Sequence, residues 1–261
     1  MKKQSLFASV SMLPILLLAL LFVSCGSETS KKENLAFNVN GVEFTMVYVE
    51  GGTFMMGSED SEAGENEKPV HQVTLSDYYI GQTEVTQALW QSVMGSNPSG
   101  VKGDSLPVDQ VSWYDCQDFI VKLNEASGEN FSMPTEAQWE FAARGGIHSK
   151  GYKYSGSDEL ESVGWNDFNL TRGSTHPVGT KQANELGIYD MCGNVSEWCS
   201  DWYGEYTSDA VTDPTGPSSG SEHMHRGGSW DESETDSRST SRNVYDEEPY
   251  YVNGLRLALK K

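Results

Sequence analysis

The sequence predicts an α+β domain rich in irregular loops, and three observations favour this class. Short segments rich in β-branched and aromatic residues occur towards both ends of the chain, which indicates strands. Three segments between residues 86 and 146 carry helix-capping residues and glycine stops. The stretch from residue 146 to 225 shows almost no sustained hydrophobic period, which indicates loops.

The N-terminal segment, residues 1–24, is typical of a bacterial lipoprotein signal peptide. Two lysines precede an apolar run over residues 13–23, which is shorter than the roughly 20 apolar residues needed to span a bilayer. Small residues then lead to Cys25, the expected site of lipid attachment. An ordinary secreted protein in which Cys25 is incidental is the alternative. We therefore expect a polar tether over 25–40 and one folded domain over 41–261.

The first half of the domain alternates expected strands with clearly bounded helices. Strands are expected at 42–53, with a turn at 50–52, and at 70–79. Capping residues and glycine stops then predict three helices. One is capped by Thr86 and runs to residue 94, one follows Ser112 over 113–126, and one is opened by the Thr135–Gln138 capping box and runs over 136–144.

The stretch from 146 to 225 is expected to be ordered although it lacks a period. Five Trp and Tyr residues lie between Trp165 and Tyr203, and they supply too much apolar surface to leave in water. Loops of this length inside a domain need other support, such as bound metal or dense side-chain hydrogen bonding. Two short strands are expected beyond it, at 226–230 and 255–259.

The charge of the chain restricts the classes of partner that it can bind. The formal charge is −20, and such a surface repels nucleic acid and anionic lipid headgroups. It suits divalent cations or a basic partner. No nucleic-acid partner is expected, and the membrane is reached through the lipid on Cys25.

Cysteines and histidines are too few to dictate a covalent framework or a metal centre. Beyond the lipid site, the chain has Cys116, Cys192 and Cys199, so a Cys192–Cys199 bridge and three free buried thiols are both compatible with the sequence. The pair His223 and His225 could share one strand face and bind a metal. Because no third ligand is evident, we interpret the pair as surface or packing residues.

Five motifs, taken in order, are specific enough to indicate a family. They are VEGGTFMMGS at 49–58 with EVT at 84–86, MPTEAQWEFAARGG at 133–146, GIYDMCGNVSEW at 187–198, RGGSW at 226–230 and NGLRLA at 253–258. Together they cover about residues 43–259 and resemble the formylglycine-generating enzyme family, also called sulfatase-modifying factors. The resemblance implies a loop-rich α+β fold related to C-type lectins.

The resemblance also implies where chemistry would occur. Members of that family oxidise a sulfatase cysteine with copper(I) held by two cysteines, the third and eighth residues after Gly-Gly-Ser. Those positions are Glu232 and Ser237 here, and hard oxygen donors do not suit copper(I). We expect a non-catalytic envelope protein whose groove near Ser229, Trp230, Glu232 and Ser237 binds a protein or a glycan or braces an envelope assembly. The alternative is a formylglycine-generating oxidoreductase acting on sulfatase cysteines.

A structural calcium ion in the 190–197 loop is a further implication of the resemblance. Ca²⁺ prefers six to eight oxygen ligands, which a glycine-containing loop can supply. In the alternative interpretation the two acids of the loop are solvated or cap helices. The implied ligands are the side chains of Asp190 and Glu197 and the carbonyls of Gly193 and Val195. The family's second calcium site would lie upstream, near residues 165–169, where the sequences do not align clearly.

Overall fold

The computed structural model describes residues 32–166, 173–245 and 250–260, and these contain twelve strands and four α-helices. The signal peptide and Cys25 lie outside the described residues. The helices are α1 (Gln87–Met94), α2 (Trp113–Ser127), α3 (Glu136–Ala143) and α4 (Leu160–Val163). The strands are β1 (Leu35–Val39), β2 (Val42–Val49), β3 (Gly52–Met56), β4 (His71–Leu75), β5 (Tyr78–Gly81), β6 (Phe131–Ser132), β7 (Ser196–Trp202), β8 (Val211–Thr212), β9 (His223–Arg226), β10 (Asn243–Tyr245), β11 (Asn253–Gly254) and β12 (Ala258–Leu259).

The strands form three sheets, and the loop-rich α+β class is confirmed. The largest has the order β1-β2-β5-β12-β6, the second β10-β9-β7-β11 and the third β3-β4-β8. The last chain segment, β12, lies between β5 and β6 in the first sheet. The C-terminus therefore closes a sheet that the N-terminal strands begin. No helix among the described residues is long and apolar enough to cross a membrane.

The three helices predicted from capping residues are confirmed to within one residue at each end. Thr86, Ser112 and Thr135 each occupy the N-cap, and their side chains accept a backbone N–H from the first turn. Gly95 and Gly128 end α1 and α2 with φ of 77° and 74°, a left-handed conformation that glycine adopts without steric cost. Helices α1 and α2 meet through Trp90 and Phe119, whose stacked rings are 4.7 Å apart.

Several strand and tether boundaries differ from the prediction. The tether was expected to reach residue 40, but residues 35–39 form β1, which pairs antiparallel with β2 and buries Val39. The turn expected at 50–52 is present at Glu50 and Gly51, and the strand continues beyond it as a second strand, β3. The strand expected at 70–79 is also two, β4 and β5, separated by Ser76 and Asp77.

The late strands also differ from the prediction. The segment expected at 226–230 is a strand only up to Arg226, because Gly227 and Gly228 have φ of 95° and 64° and turn the chain out of the sheet. The segment expected at 255–259 is a strand only at Ala258–Leu259. Strand β7 lies inside the stretch expected to be irregular. Five of its seven residues are buried and Trp202 is half-buried, so the strand shows no alternation of buried and exposed residues.

Dense side-chain bonding, one of the two supports expected for the irregular region, is present as four buried arginine–glutamate pairs, here called the buried arginine set. Each arginine is at most 6% exposed. Each also donates to backbone carbonyls of the surrounding loops, so one side chain satisfies several loop segments at once. The pairs are Arg226–Glu140, Arg238–Glu67, Arg242–Glu136 and Arg256–Glu197.

The cysteines and the histidine pair are packing residues. Cys116, Cys192 and Cys199 are free and buried, so the bridge considered from the sequence is not formed. His223 lies between two tryptophan rings and His225 lies edge-on to Trp198. Within the described residues no group of three or more His, Cys, Asp or Glu side chains is placed to hold a metal ion.

Candidate ligand-binding site

The candidate site is built on the loop from residue 229 to 237, here called the 229–237 loop, which follows β9. Its entry requires two glycines. A Cβ on Gly227 would lie 3.1 Å from the Trp139 ring, and one on Gly228 would lie 2.9 Å from the backbone and hydroxyl of Ser237. The loop is thereby held against the sheet at its beginning and its end.

Glu232 is fixed at the side of this loop by hydrogen bonds from two other segments. Its Oε2 accepts from the Ser196 hydroxyl at 2.9 Å, and its backbone carbonyl accepts from the Asn166 amide at 2.6 Å. Ser196 is the first residue of β7. The small side chain allows the Glu232 carboxylate to reach the strand.

Two buried polar side chains near Glu232 have no hydrogen-bond partner among the described residues. They are the Ser237 hydroxyl and the amide of Asn253, which lies beside Ser196 in the parallel β7–β11 pair. A buried polar group without a partner costs about 1–3 kcal/mol. Such groups mark a place where the fold itself leaves a buried hydrogen-bond donor or acceptor unsatisfied.

An aromatic rim borders the site. The Trp230 and Tyr251 rings are 6.2 Å apart in an edge-to-face arrangement, and Tyr250 packs on Tyr251 at 4.6 Å. The two tyrosines are 37% and 43% exposed. The Tyr251 hydroxyl donates to Asp231, and this bond together with burial raises the pKa of Tyr251. Exposed aromatic rings with polar tips are typical of interaction surfaces.

The structure brings only part of the predicted groove to the surface. Trp230 and Glu232 are partly exposed, whereas Ser229 and Ser237 are fully buried. Ser229 and Ser237 therefore support the loop from beneath. The tyrosine pair and Asn253 were not identified as site residues from the sequence. The tyrosine pair lies just before the NGLRLA motif, and that closeness is the signal that could have indicated it.

The residues predicted to bind calcium lie close together, but they fit the ion only in part. Asp190 is 2% exposed, and its Oδ2 accepts from Gly179 N–H while Oδ1 has no partner among the described residues. Glu197 has no free oxygen, because Arg256 Nε and Nη2 and Trp139 Nε1 donate to both oxygens at 2.6–2.9 Å. Asp190 thus suits a cation, while Glu197 already has a buried guanidinium as its counter-charge.

The rest of this loop is held by a third acid. Glu84 Oε1 accepts from Val195 N–H and Oε2 from the Asn194 amide, and burial raises the pKa of Glu84 well above its usual value. Gly193 donates its N–H to Gly227, and a Cβ there would lie 2.2 Å from the Trp165 carbonyl. The upstream calcium site expected near 165–169 lies mostly outside the described residues.

The mixed sheets, the glycine turn after β9 and the buried arginine set define a sulfatase-modifying-factor-like domain. Comparison of sequences agrees with this class. The chain belongs to the family described as the sulfatase-modifying factor enzyme 1-like domain, which matches residues 33–261. The match begins two residues before β1, which supports placing the start of the domain well before residue 41.

Several proteins with different names are similar to this chain in sequence or structure. The chain is 38% identical over 208 residues to the chaperone protein LppX of Paenibacillus barcinonensis, which covers 60% of this chain and 71% of that protein. It is 30% identical over 252 residues to the formylglycine-generating enzyme of Streptomyces coelicolor, covering 70% and 78%. Among solved structures, variable protein 1 of Treponema denticola superposes with a TM-score of 0.81 and 32% identity, covering 88% of this chain and all of that one.

Proposed function

We propose that this protein is a lipid-anchored component of the bacterial cell envelope whose domain binds a polypeptide or glycan and does not oxidise cysteines. The observation that carries the proposal is the chemistry of two positions. Where the family resemblance implies thiolates for copper(I), the chain has Glu232, whose carboxylate is held by Ser196, and Ser237, which is buried. Neither side chain offers the soft donor that copper(I) prefers.

The remaining cysteines do not replace those thiolates. Cys116, Cys192 and Cys199 are all fully buried. Burial raises the pKa of each thiol, to about 12 for Cys192 and well above the usual value for the other two. Since the thiolate is the form that binds metal and reacts, these residues are suited to packing.

The aromatic rim supports binding in place of chemistry. Tyr250 and Tyr251 offer exposed rings at one edge of the 229–237 loop, Trp230 offers a partly exposed one, and Asp231 and Glu232 add acceptors. This combination suits the backbone and basic side chains of a polypeptide, and it also suits the hydroxyl groups of a glycan. The similarity to a protein named a chaperone supports a polypeptide ligand.

The binding proposal is tested with the lipid-free protein, residues 26–261, against peptide and glycan arrays. We expect binding that Trp230→Ala reduces at least tenfold. Tyr114→Ala is the matched control, because Tyr114 is another exposed aromatic residue (54%), on α2 and outside both the 229–237 loop and the aromatic rim. Equal loss in both variants, or ligand binding unaffected by Trp230→Ala, would contradict the proposed surface.

Attachment to the membrane is tested at Cys25. Cys25→Ser should abolish incorporation of a radiolabelled fatty acid and release the protein from the membrane fraction. Labelling that continues equally in the variant would show that the lipid is not on this residue.

Calcium remains a proposal, supported by the unpartnered oxygen of Asp190 and opposed by the engaged carboxylate of Glu197. If the ion binds, a chelator lowers the melting temperature of the wild-type protein and leaves that of Asp190→Ala unchanged. Identical unfolding curves for the wild type with chelator and with calcium would contradict it. Glu197 does not provide this test, since its replacement also leaves Arg256 without its partner.

A further inference from the structure

A cavity of about 460 Å³ opens beside the N-terminal end of α3. None of its lining residues belongs to the 229–237 loop or to the aromatic rim. Its volume lies within the range of small-ligand sites, about 300–1,000 Å³. The polar and aromatic side chains that line it are His71, Glu136, Asp201, Trp202, Glu205, Tyr206, Thr207, Thr212, Thr215 and Arg242.

Asp201 is a buried carboxylate of this cavity whose recorded hydrogen bonds all go to one oxygen. It is only 4% exposed. Its Oδ2 accepts from the Glu136 N–H at 3.1 Å and from the Ser200 hydroxyl at 3.0 Å, whereas no described residue donates to Oδ1. A buried carboxylate oxygen lining a cavity without a donor is a place for a ligand that supplies one.

The charged donor of the cavity, Arg242, and the Tyr206 hydroxyl are already engaged within the fold. Arg242 donates from Nε and Nη2 to both oxygens of Glu136 and also to the carbonyls of Asn66 and Gly204. The Tyr206 hydroxyl donates to Glu136. His71 Nδ1 lies 3.3 Å from the Pro69 carbonyl, which can only accept, so this nitrogen donates to it. The one cationic side chain of the lining with a recorded ion pair, Arg242, is thus matched by Glu136, and Asp201 Oδ1 is left as an acceptor.

The aromatic residues do not offer free ring faces for a sugar. The Tyr206 ring has the Arg242 guanidinium 3.8 Å from its centre and the His71 ring 4.5 Å away. The Trp202 ring stacks on His223 at 3.7 Å, and Gly220 packs closely against Trp202 as well. Stacking of a glycan ring, which needs an open face, is thus not favoured here.

From these observations we propose that the cavity binds a cationic N–H donor, an alkylammonium or guanidinium group, with the Asp201 carboxylate as its counter-charge. The apolar lining, which includes Met56, Val211 and Pro214, matches the methylene stem of such a group. Glu205 at the rim and the formal charge of −20 attract cations to the opening. The proposal concerns a site separate from the aromatic rim and stands independently of it.

Binding at this site is expected to depend on pH. Burial, with the charge of Glu136, raises the pKa of Asp201 to about 7. A guanidinium stays charged at every pH of interest, so its affinity should rise as Asp201 ionises, by about 30-fold between pH 5.5 and 8.5. The titratable groups that face Asp201 from the surrounding elements are Glu136, Arg242, His71, Glu205, Tyr206, His223 and Cys199.

The test is calorimetric titration of the lipid-free protein with n-butylguanidine, with n-butanol and butyrate as neutral and anionic controls. We expect binding of the guanidine alone, weakened at least tenfold by Asp201→Asn. Asp109→Asn is the matched control, because Asp109 is also buried (5% exposed) with a pKa raised by burial, and it does not line the cavity. The Asp109→Asn variant should bind n-butylguanidine as tightly as the wild type does.

Two comparisons complete the test. If an Ala-Arg-Ala peptide binds more tightly than n-butylguanidine, the ligand is an arginine side chain of a partner protein. If the peptide binds more weakly, the ligand is a small free amine or guanidine. If Asp201→Asn does not fold, the pH profile of the wild type decides. Affinity that is flat or falls from pH 5.5 to 8.5, equal binding by Asp201→Asn, or binding of butyrate would overturn the proposal.

Discussion

The buried arginine set and the 229–237 loop lie in the same part of the chain, but they differ in how their buried polar groups are paired. In the arginine set every guanidinium group meets a glutamate, although the Nε of Arg226 has no hydrogen-bond partner among the described residues. Arg256 meets Glu197 through three hydrogen bonds and donates to three backbone carbonyls as well. Beside the 229–237 loop, the Asn253 amide and the Ser237 hydroxyl have no partner among the described residues, and aromatic rings are exposed.

This difference separates residues that hold the fold from residues of the proposed ligand-binding surface. Buried polar networks that are fully paired rigidify a structure, whereas incompletely paired groups store an unmet requirement. The buried arginines tie loop segments to the rest of the domain. The chain has Glu232 and Ser237 at the two positions where the family resemblance implies copper-binding cysteines. Both observations support the binding function proposed above.

The largest expected effect is on stability, from a change in the buried arginine set. Arg256→Met leaves the Glu197 carboxylate buried with only Trp139 donating to it. Removing one partner of a buried pair costs about 3–5 kcal/mol of unfolding free energy, and urea denaturation should show it. The double variant Arg256→Met with Glu197→Leu should recover most of this loss. A loss below about 1 kcal/mol in the single variant would show that the pair does not hold the loops.

A smaller effect is expected from pH, through a histidine beside the same arginines. Burial and the charge of Arg226 lower the pKa of His225 to about 3. Because the unfolded chain binds a proton near pH 6.5 and the folded chain does not, stability contributed by neutral His225 is lost as pH falls from 6.5 towards 3. The loss is about 2 kcal/mol at pH 5.

The contribution of His225 is isolated by comparing wild type with His225→Gln across that range. The difference in unfolding free energy between the two proteins should shrink as pH falls from 7 to 5. A constant difference would show that His225 is not responsible.

The smallest effect on stability is expected in the 229–237 loop. Glu232→Gln keeps an oxygen that accepts from Ser196 and removes only a partly exposed charge. The unfolding free energy should change by less than about 0.5 kcal/mol, while binding at the aromatic rim weakens. A loss of several kcal/mol would place Glu232 with the framework and remove the contrast between the two regions.

The elements with local signals could be predicted from the sequence. Helix caps such as Ser112 and glycine stops such as Gly128 act within a few residues, so the bounds of α1, α2 and α3 were predictable. The family motifs predicted the fold class for the rest of the chain. Strand β1 was missed because it follows a polar segment directly, with no turn residue to separate the two.

The candidate site was predictable only in part, because its contacts join distant residues. Trp230 and Glu232 follow from the family motif. The tyrosine pair, the link from Ser196 to Glu232 and the position of Asn253 depend on β7 pairing with β11, more than 50 residues further along the chain. The engagement of Glu197 by Arg256 is a contact of the same kind, 59 residues apart. No local pattern encodes such pairings.

The most direct test of the proposal that this protein does not oxidise cysteines is mass spectrometry of a Cys-x-Pro-x-Arg peptide. The peptide is incubated with the lipid-free protein, copper(I) and oxygen. The formylglycine-generating enzyme of Streptomyces coelicolor serves as the positive control, and heat-inactivated protein as the negative control. Because Glu232 and Ser237 provide no thiolate, we predict that the peptide keeps its thiol at the level of the heat-inactivated control. Conversion of the cysteine to an aldehyde that depends on the folded protein would contradict the account.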